Sequence, residues 1–157
     1  MKIKIIIILL SIVYFSTGCN KKLASKKQTE SIFPIGNKVS NQNFIGDVYV
    51  KMFTQNDSIY NVSMGNVTFE PGARTNWHYH PGGQILIITD GVGYYQEKEL
   101  PIKIIKKGDV VQCPPNIQHW HGASPTQSIT HIAISTNTNI GGAVWLRPVS
   151  EKEYALK

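Results

Sequence analysis

Gly72-Ala73-Arg74-Thr75-Asn76-Trp77-His78-Tyr79-His80-Pro81-Gly82-Gly83-Gln84-Ile85-Leu86-Ile87-Ile88-Thr89-Asp90-Gly91 is the stretch around which the rest of the chain can be read. Residues 74–80 read as a strand, because Trp77 and Tyr79 alternate with Asn76, His78 and His80. Side chains two apart on a strand share a face, so His78 and His80 project together. Pro81-Gly82-Gly83 then turns the chain, and Gln84 opens the apolar run Ile85 to Ile88 with its amide in reach of both imidazoles. Three converging nitrogen and oxygen donors suit a borderline divalent metal.

Working outward, Gly108-Asp109-Val110-Val111-Gln112-Cys113-Pro114-Pro115-Asn116-Ile117-Gln118-His119-Trp120-His121 supplies a second His-x-His pair, and His131 lies in the next apolar run. All five histidines of the chain fall in these three segments. Scattered surface histidines would not cluster in this way.

The two stretches resemble the two sequence motifs of the cupin superfamily. The first is Gly, five residues, His-x-His, three or four residues, Glu, six residues, Gly. It is matched from Gly72 to Gly91, with Gln84 in the place of the Glu. The second is Gly, five residues, Pro-x-Gly, two residues, His, three residues, Asn. Gly108, Pro114 and His119 match it, while Asn116 replaces the Gly and Ala123 the Asn. The spacing between the motifs is short, as in small bacterial cupins. The string from Phe69 to Thr75, through His119-Trp120-His121-Gly122-Ala123, to Thr130-His131-Ile132-Ala133-Ile134 is similar to single-domain cupins. These include manganese-dependent hydroxynitrile lyases and cupin relatives of carboxymuconolactone decarboxylase.

The resemblance covers about residues 45–157. It implies His78, His80, Gln84 and His119 as the ligands of one divalent ion, Mn2+ or Fe2+ before Zn2+ or Ni2+. A neutral carboxamide at position 84 leaves such an ion its full charge, which favours polarisation of a bound substrate over redox cycling. His121 shares a strand face with His119, and His131 shares one with Ile129 and Ala133. Both are expected to enter the same cavity as the catalytic proton-transfer pair, and the resembling lyases carry His at both matching positions. Arg74, Trp77, Tyr79 and Trp120 flank the ligands on the opposite strand face and are expected in outer-sheet or subunit packing. Cys113 reads as a buried structural thiol, and Trp145 as core or interface.

One folded domain is expected from 157 residues. The two cysteines, Cys19 and Cys113, give no disulfide framework. The net charge of +6 is local: Lys2, Lys4, Lys21, Lys22, Lys26 and Lys27 account for it, and nothing in the remainder resembles a nucleic-acid footprint. Residues 1–4 are basic, and Ile5 to Phe15 is apolar except for Ser11. That run is too short to span a bilayer, which takes about 20 residues, but it suits a signal-peptide core. It ends in Ser16-Thr17-Gly18-Cys19, similar to a bacterial lipobox. Residues 1–19 are therefore expected to be a lipoprotein-type signal, with a lipid anchor on Cys19 placing the protein at the cell envelope; ordinary signal cleavage near Gly18, giving a periplasmic or secreted protein, or an uncleaved anchor, is the alternative. Residues 20–43, rich in Lys, Ser, Gln and Asn, are expected to form a flexible polar tether, and 44–157 the cupin domain.

Beyond residue 44 the chain reads as short strands separated by Gly, Pro and Asn turns, over 48–53, 61–69, 85–88, 91–96, 102–105, 109–113, 128–135 and 143–146. No window carries a helical period of useful length except Ser150 to Tyr154, where Ser150 and Glu153 fit a capping box. This pattern implies an all-β sandwich or barrel, and the resemblance specifies a single jelly-roll barrel, the double-stranded β-helix.

Three functions fit this reading. The first is an enzyme whose metal acts as a Lewis acid on a small substrate, in lyase- or decarboxylase-like chemistry. The second is an Fe2+ dioxygenase, and the third a binding module for a small molecule or metal. A homo-oligomer, dimer or tetramer, is expected in any of these cases.

Overall fold

A computed structural model describes residues 31–155. The signal and anchor expected over 1–19, and the tether as far as residue 30, lie outside the described residues. No helix among the described residues is long and apolar enough to cross a membrane.

Twelve strands carry the fold: β1 Asn37–Lys38, β2 Phe44–Ile45, β3 Val48–Asp57, β4 Val62–Phe69, β5 Arg74–Thr75, β6 His78–Tyr79, β7 Gln84–Glu97, β8 Lys103–Lys106, β9 Val110–Cys113, β10 His119–Ala123, β11 Ile129–Ser135 and β12 Val144–Trp145. Every pairing is antiparallel. One layer runs β1-β3-β4-β11-β7-β9, and the facing layer joins β2, β5, β6, β10, β12 and β8 to the far half of β7. The expected jelly-roll barrel is therefore present, closed around one long shared strand.

β7 changes layers at its middle. Residues 84–88 pair with β11, whereas 93–97 pair with β10. The bend falls at Gly91, whose φ of 77° lies in the left-handed region. A Cβ there would collide with the Ser128 carbonyl oxygen, so the close approach requires glycine. Opposite the bend the register of β11 slips between Thr130 and His131, a bulge that re-aims the strand. The sequence shows 85–88 and 91–96 as two runs, and this bend makes them one strand.

Strand periodicity sorts the apolar residues. In β7, Gln84, Leu86 and Ile88 are buried while Ile87 is exposed, as alternation across a sheet demands. Val48, Phe69, Leu86, Ile105 and Ile129 fill the barrel next to Val111 and Cys113. β4 departs from alternation, since residues 65–69 are all buried. Its outer face is covered by the entering chain, where the Asn66 amide donates to the Pro34 carbonyl at 3.2 Å and Phe33 packs on Phe53 at 4.9 Å. Asn37 and Lys38 also pair with β3, so among the described residues those from Phe33 to Lys38 lie against the barrel. The last part of the expected tether is thus a docked strap, because β4 would otherwise expose its outer face.

A second apolar cluster lies outside the barrel, where Trp77, Tyr94 and Trp120 pack against Val149 and Tyr154. Ser150 caps the short helix α1, Glu151–Tyr154, through the expected capping box. Arg74 fastens this end. Its guanidinium donates to the Val149 carbonyl at 3.2 Å and to Glu151 at 2.7 Å, and lies 4.3 Å from the Tyr154 ring centroid. Glu151 is 84% exposed while Arg74 is 4%, so the ion pair itself contributes less than about 1 kcal/mol. The buried hydrogen bond and the stacked ring decide the effect. Arg74→Ala is expected to lower unfolding free energy by about 2–4 kcal/mol in urea titration. An unchanged midpoint would show that the latch is held by the apolar cluster alone.

Candidate functional site

The first motif folds as two short strands rather than one, because Asn76 and Trp77 step out of the ladder between β5 and β6. The Trp77 N–H instead donates to the Arg147 carbonyl. The alternation survives this break, and His78 and His80 both face the barrel interior, 1% and 5% exposed. His78 pairs across the sheet with His119. Behind His80 the turn is held by two N–H donors, from Gly83 and Asn116, on the His80 carbonyl. Asn116 has φ 63°. It stands where the motif has glycine because asparagine tolerates the left-handed conformation that the turn needs. Ala123, in place of the motif's Asn, is fully buried and its carbonyl accepts the Tyr154 hydroxyl at 2.8 Å.

His78, His80 and His119 bring one nitrogen each within 4.8 Å of the others. Their other nitrogens are tied down. His78 Nδ1 donates to the Asn76 carbonyl at 3.0 Å and His119 Nδ1 to the Ile117 carbonyl at 2.9 Å, which fixes the tautomer and leaves each Nε2 a lone pair. His80 Nδ1 meets the Ser135 hydroxyl at 3.2 Å. Its Nε2 is buried and has no hydrogen-bond partner among the described residues.

Gln84 joins the group, with Oε1 3.1 Å from His119 Nε2. Two acceptors facing one another repel. A flipped amide relieves that contact, yet His80 Nε2 still lacks a hydrogen-bond partner among the described residues. A cation between the lone pairs satisfies all of them at once, so the donor set fits a divalent ion with His78, His80, His119 and Gln84 as its holders. Burial lowers the proton affinity of each of these imidazoles, that of His78 well below the ordinary value and that of His80 to about 4. They therefore stand neutral at neutral pH, the form in which imidazole coordinates.

The fold brings His121 and His131 together. Both are buried, and His121 Nδ1 lies 3.3 Å from His131 Nε2. His121 is placed by its N–H donating to the Thr75 hydroxyl, and its ring centroid lies 5.3 Å from that of His78. His121 Nε2 and His131 Nδ1 are buried without partners among the described residues. Burial is also the main reason that their proton affinity is depressed, to about 4 for His131.

Arg74, Trp77 and Trp120 sit in the outer cluster, in line with the outer-sheet reading, and half-buried Tyr79 pairs with Val144. Cys113 is buried, its thiol pushed up to about 12 by burial, which leaves it inert. Trp145 belongs to the site's wall instead. Its ring lies 4.8 Å from His78 and 5.4 Å from Phe44. Ser135, Tyr95 and Glu97 were not visible as site residues. Ser135 sits opposite Gln84 in register, a relation that exists only once β11 and β7 are aligned.

Each buried imidazole binds a proton more weakly when folded than when unfolded. Its contribution to stability is therefore complete above about 6.5 and is lost as pH falls toward the folded value near 4 for His80 and His131. The melting temperature of the metal-stripped protein is expected to be level above pH 7 and to drop between pH 6.5 and 4. A flat profile across that window would contradict the burial of these rings.

The comparisons with known proteins agree with this geometry. The cupin domain family model matches residues 65–134. An (R)-mandelonitrile lyase from Granulicella tundricola is 41% identical over 111 residues, 71% of this chain and 85% of that protein. A cupin-like protein from Thermotoga maritima is 53% identical in sequence, and its crystal structure superposes with a TM-score of 0.76 over 78% of this chain and 93% of that one. A predicted oxalate decarboxylase from the same organism shares the fold at 18% identity, with a TM-score of 0.56 over 70% of this chain and 91% of that one. With both motifs meeting in one buried histidine cluster inside a jelly-roll barrel, the chain belongs to the cupin family.

Proposed function

We propose that this protein is a metal-dependent lyase that cleaves a small α-hydroxynitrile into a carbonyl compound and hydrogen cyanide. The observation that supports it most is the joint placement of two histidine groups. One is a set of neutral donors, and the other is a hydrogen-bonded imidazole pair 5.3 Å away at the His78–His121 rings. The 41% identity to a protein named (R)-mandelonitrile lyase supports the substrate class.

His78, His80, His119 and Gln84 would hold one divalent ion, Mn2+ or Fe2+. When bound, the ion supplies Lewis acidity at the substrate's oxygen. This chain's own residues do the rest. His121 Nε2, neutral and without a hydrogen-bond partner among the described residues, takes the hydroxyl proton as the carbon–carbon bond to the nitrile breaks and the carbonyl forms. The electron pair leaves with the cyanide. His131 Nε2 faces His121 Nδ1, so the pair can exchange tautomers and share the proton. The depressed proton affinity of both rings makes the protonated pair a strong acid, which returns the proton to cyanide. Trp145 and Phe44 form an aromatic wall beside His78, suited to an aryl substituent, and bulk water is kept out by burial of the ligands.

The test combines three measurements on the purified protein: metal content, cyanide release from mandelonitrile, and oxygen uptake. About one divalent ion per chain, cyanide release and no oxygen uptake are expected. Gln84→Glu, which lowers the net charge of the site by one, is expected to hold the ion at least as tightly while turning over more slowly. Oxygen uptake without cyanide release would replace this reading by the Fe2+ dioxygenase. Metal or ligand binding with neither reaction would leave a binding module.

A further inference from the structure

The donor set described above carries no negative charge, being three neutral imidazoles and a carboxamide. A carboxylate nevertheless faces it. Glu97 is the direct cross-strand partner of His119, so the two side chains leave the sheet on one face, about 5 Å apart at Cβ. Tyr95, two residues earlier on that face, donates its hydroxyl to Glu97 Oε1 at 3.0 Å, and its ring lies 5.6 Å from His119. Tyr95 is itself buried, so it anchors the carboxylate from inside the barrel. Cross-strand pairing thus sets the Glu97 carboxylate beside the His119 imidazole, and the Tyr95 hydroxyl holds it there.

We propose that Glu97 is the counter-charge of the site, supplying from behind His119 the negative charge that the amide of Gln84 withholds, and so setting how tightly a divalent cation is held. This rests on the metal-site reading of the preceding subsection. It adds that the chain has moved a carboxylate out of direct coordination without removing its field. Such an arrangement leaves the cation more acidic toward substrate than a coordinating carboxylate would, yet stops the site from repelling its own ion. The carboxylate is not sealed off. Glu97 also lines a cleft of about 200 Å³ bordered by β7, β8 and β9, with Lys103 and Gln112 on its walls. Dissolved salt can therefore screen it.

The experiment is chelator competition on the Mn2+-loaded full-length protein, comparing wild type with Glu97→Gln at low and high ionic strength. Glu97→Gln is expected to release Mn2+ about tenfold more readily at low salt, the order for one carboxylate acting on a doubly charged ion across a wet protein. The gap should close as salt is raised. Gln84→Glu combined with Glu97→Gln should bind at least as tightly as wild type, since the charge is then restored at closer range. Tyr95→Phe, which loses the anchoring hydroxyl, should weaken binding by a smaller factor and serves as the test if Glu97→Gln does not fold. Equal affinity of wild type and Glu97→Gln at low salt, or a salt-independent loss, would overturn the counter-charge while leaving the metal site standing. Failure of wild type to bind Mn2+, Fe2+ or any other divalent ion would overturn both.

Discussion

The double substitution His78→Ala, His80→Ala is expected to yield a folded protein that retains no divalent ion and releases cyanide no faster than background. The two rings supply half of the four donors, and their nitrogens converge with that of His119 within 4.8 Å. Loss of an outer partner of a metal-bound histidine alone costs about 10–100-fold in affinity, so removing two direct donors should exceed that by a wide margin. The fold should tolerate the change. Alanine leaves no buried charge, and the orphaned acceptors are the Asn76 carbonyl and the Ser135 hydroxyl, a loss of about 1–3 kcal/mol each at most. Elemental analysis together with a melting curve checks both halves. Full metal occupancy in the double variant would sink the ligand assignment, whatever its activity.

His121→Ala separates proton transfer from metal binding. A positioned general base contributes about 10²–10⁴-fold, and turnover on mandelonitrile is expected to fall by that amount while the ion stays in place. His131→Ala should fall by less. His131 acts through His121 Nδ1, 3.3 Å away, and its loss leaves His121 Nε2 in position without a relay. Metal stoichiometry must be measured on the same samples. If the ion disappears with His121, that ring is a ligand and the proton chemistry must be assigned elsewhere. Metal-loaded, fully active variants at both positions would reduce the pair to core packing.

The sequence carried the site where the relation is local. His78, His80 and Gln84 lie within seven residues and one turn, so strand alternation and motif spacing place them without any knowledge of the barrel. His119 follows from the second motif in the same way. What escaped depends on register between distant strands. Ser135 meets His80, and Glu97 meets His119, only because β11 and β10 align on opposite halves of β7. That alignment includes the bulge at Thr130 and His131, which no periodicity announces. Trp145 illustrates a second limit: an aromatic near the chain's end reads as core or interface until β12 is seen lying against β6. The strap around Phe33 sits among polar residues whose composition resembles a tether, although Phe33, Pro34, Asn37 and Lys38 reach the barrel's outer wall. Trp77 and Trp120 were correctly placed on the outer face, but nothing in their spacing named Tyr154 as the partner.

The latch at Arg74 also fixes an order of events. The ribosome makes Arg74, Trp77 and Trp120 well before it makes Val149 and Tyr154, at about 5–20 residues per second. Until those last residues emerge, the guanidinium has neither the Val149 carbonyl nor the Tyr154 ring, and two tryptophans lack the cover they have in the finished molecule. β4 likewise waits for β11, its partner from Phe69 to Ile129 about sixty residues downstream, and such long-range pairing slows β-rich folding. A nascent chain of this protein therefore has all the residues of its barrel core, Val48 to Ile129, before it has those that cover its outer tryptophans.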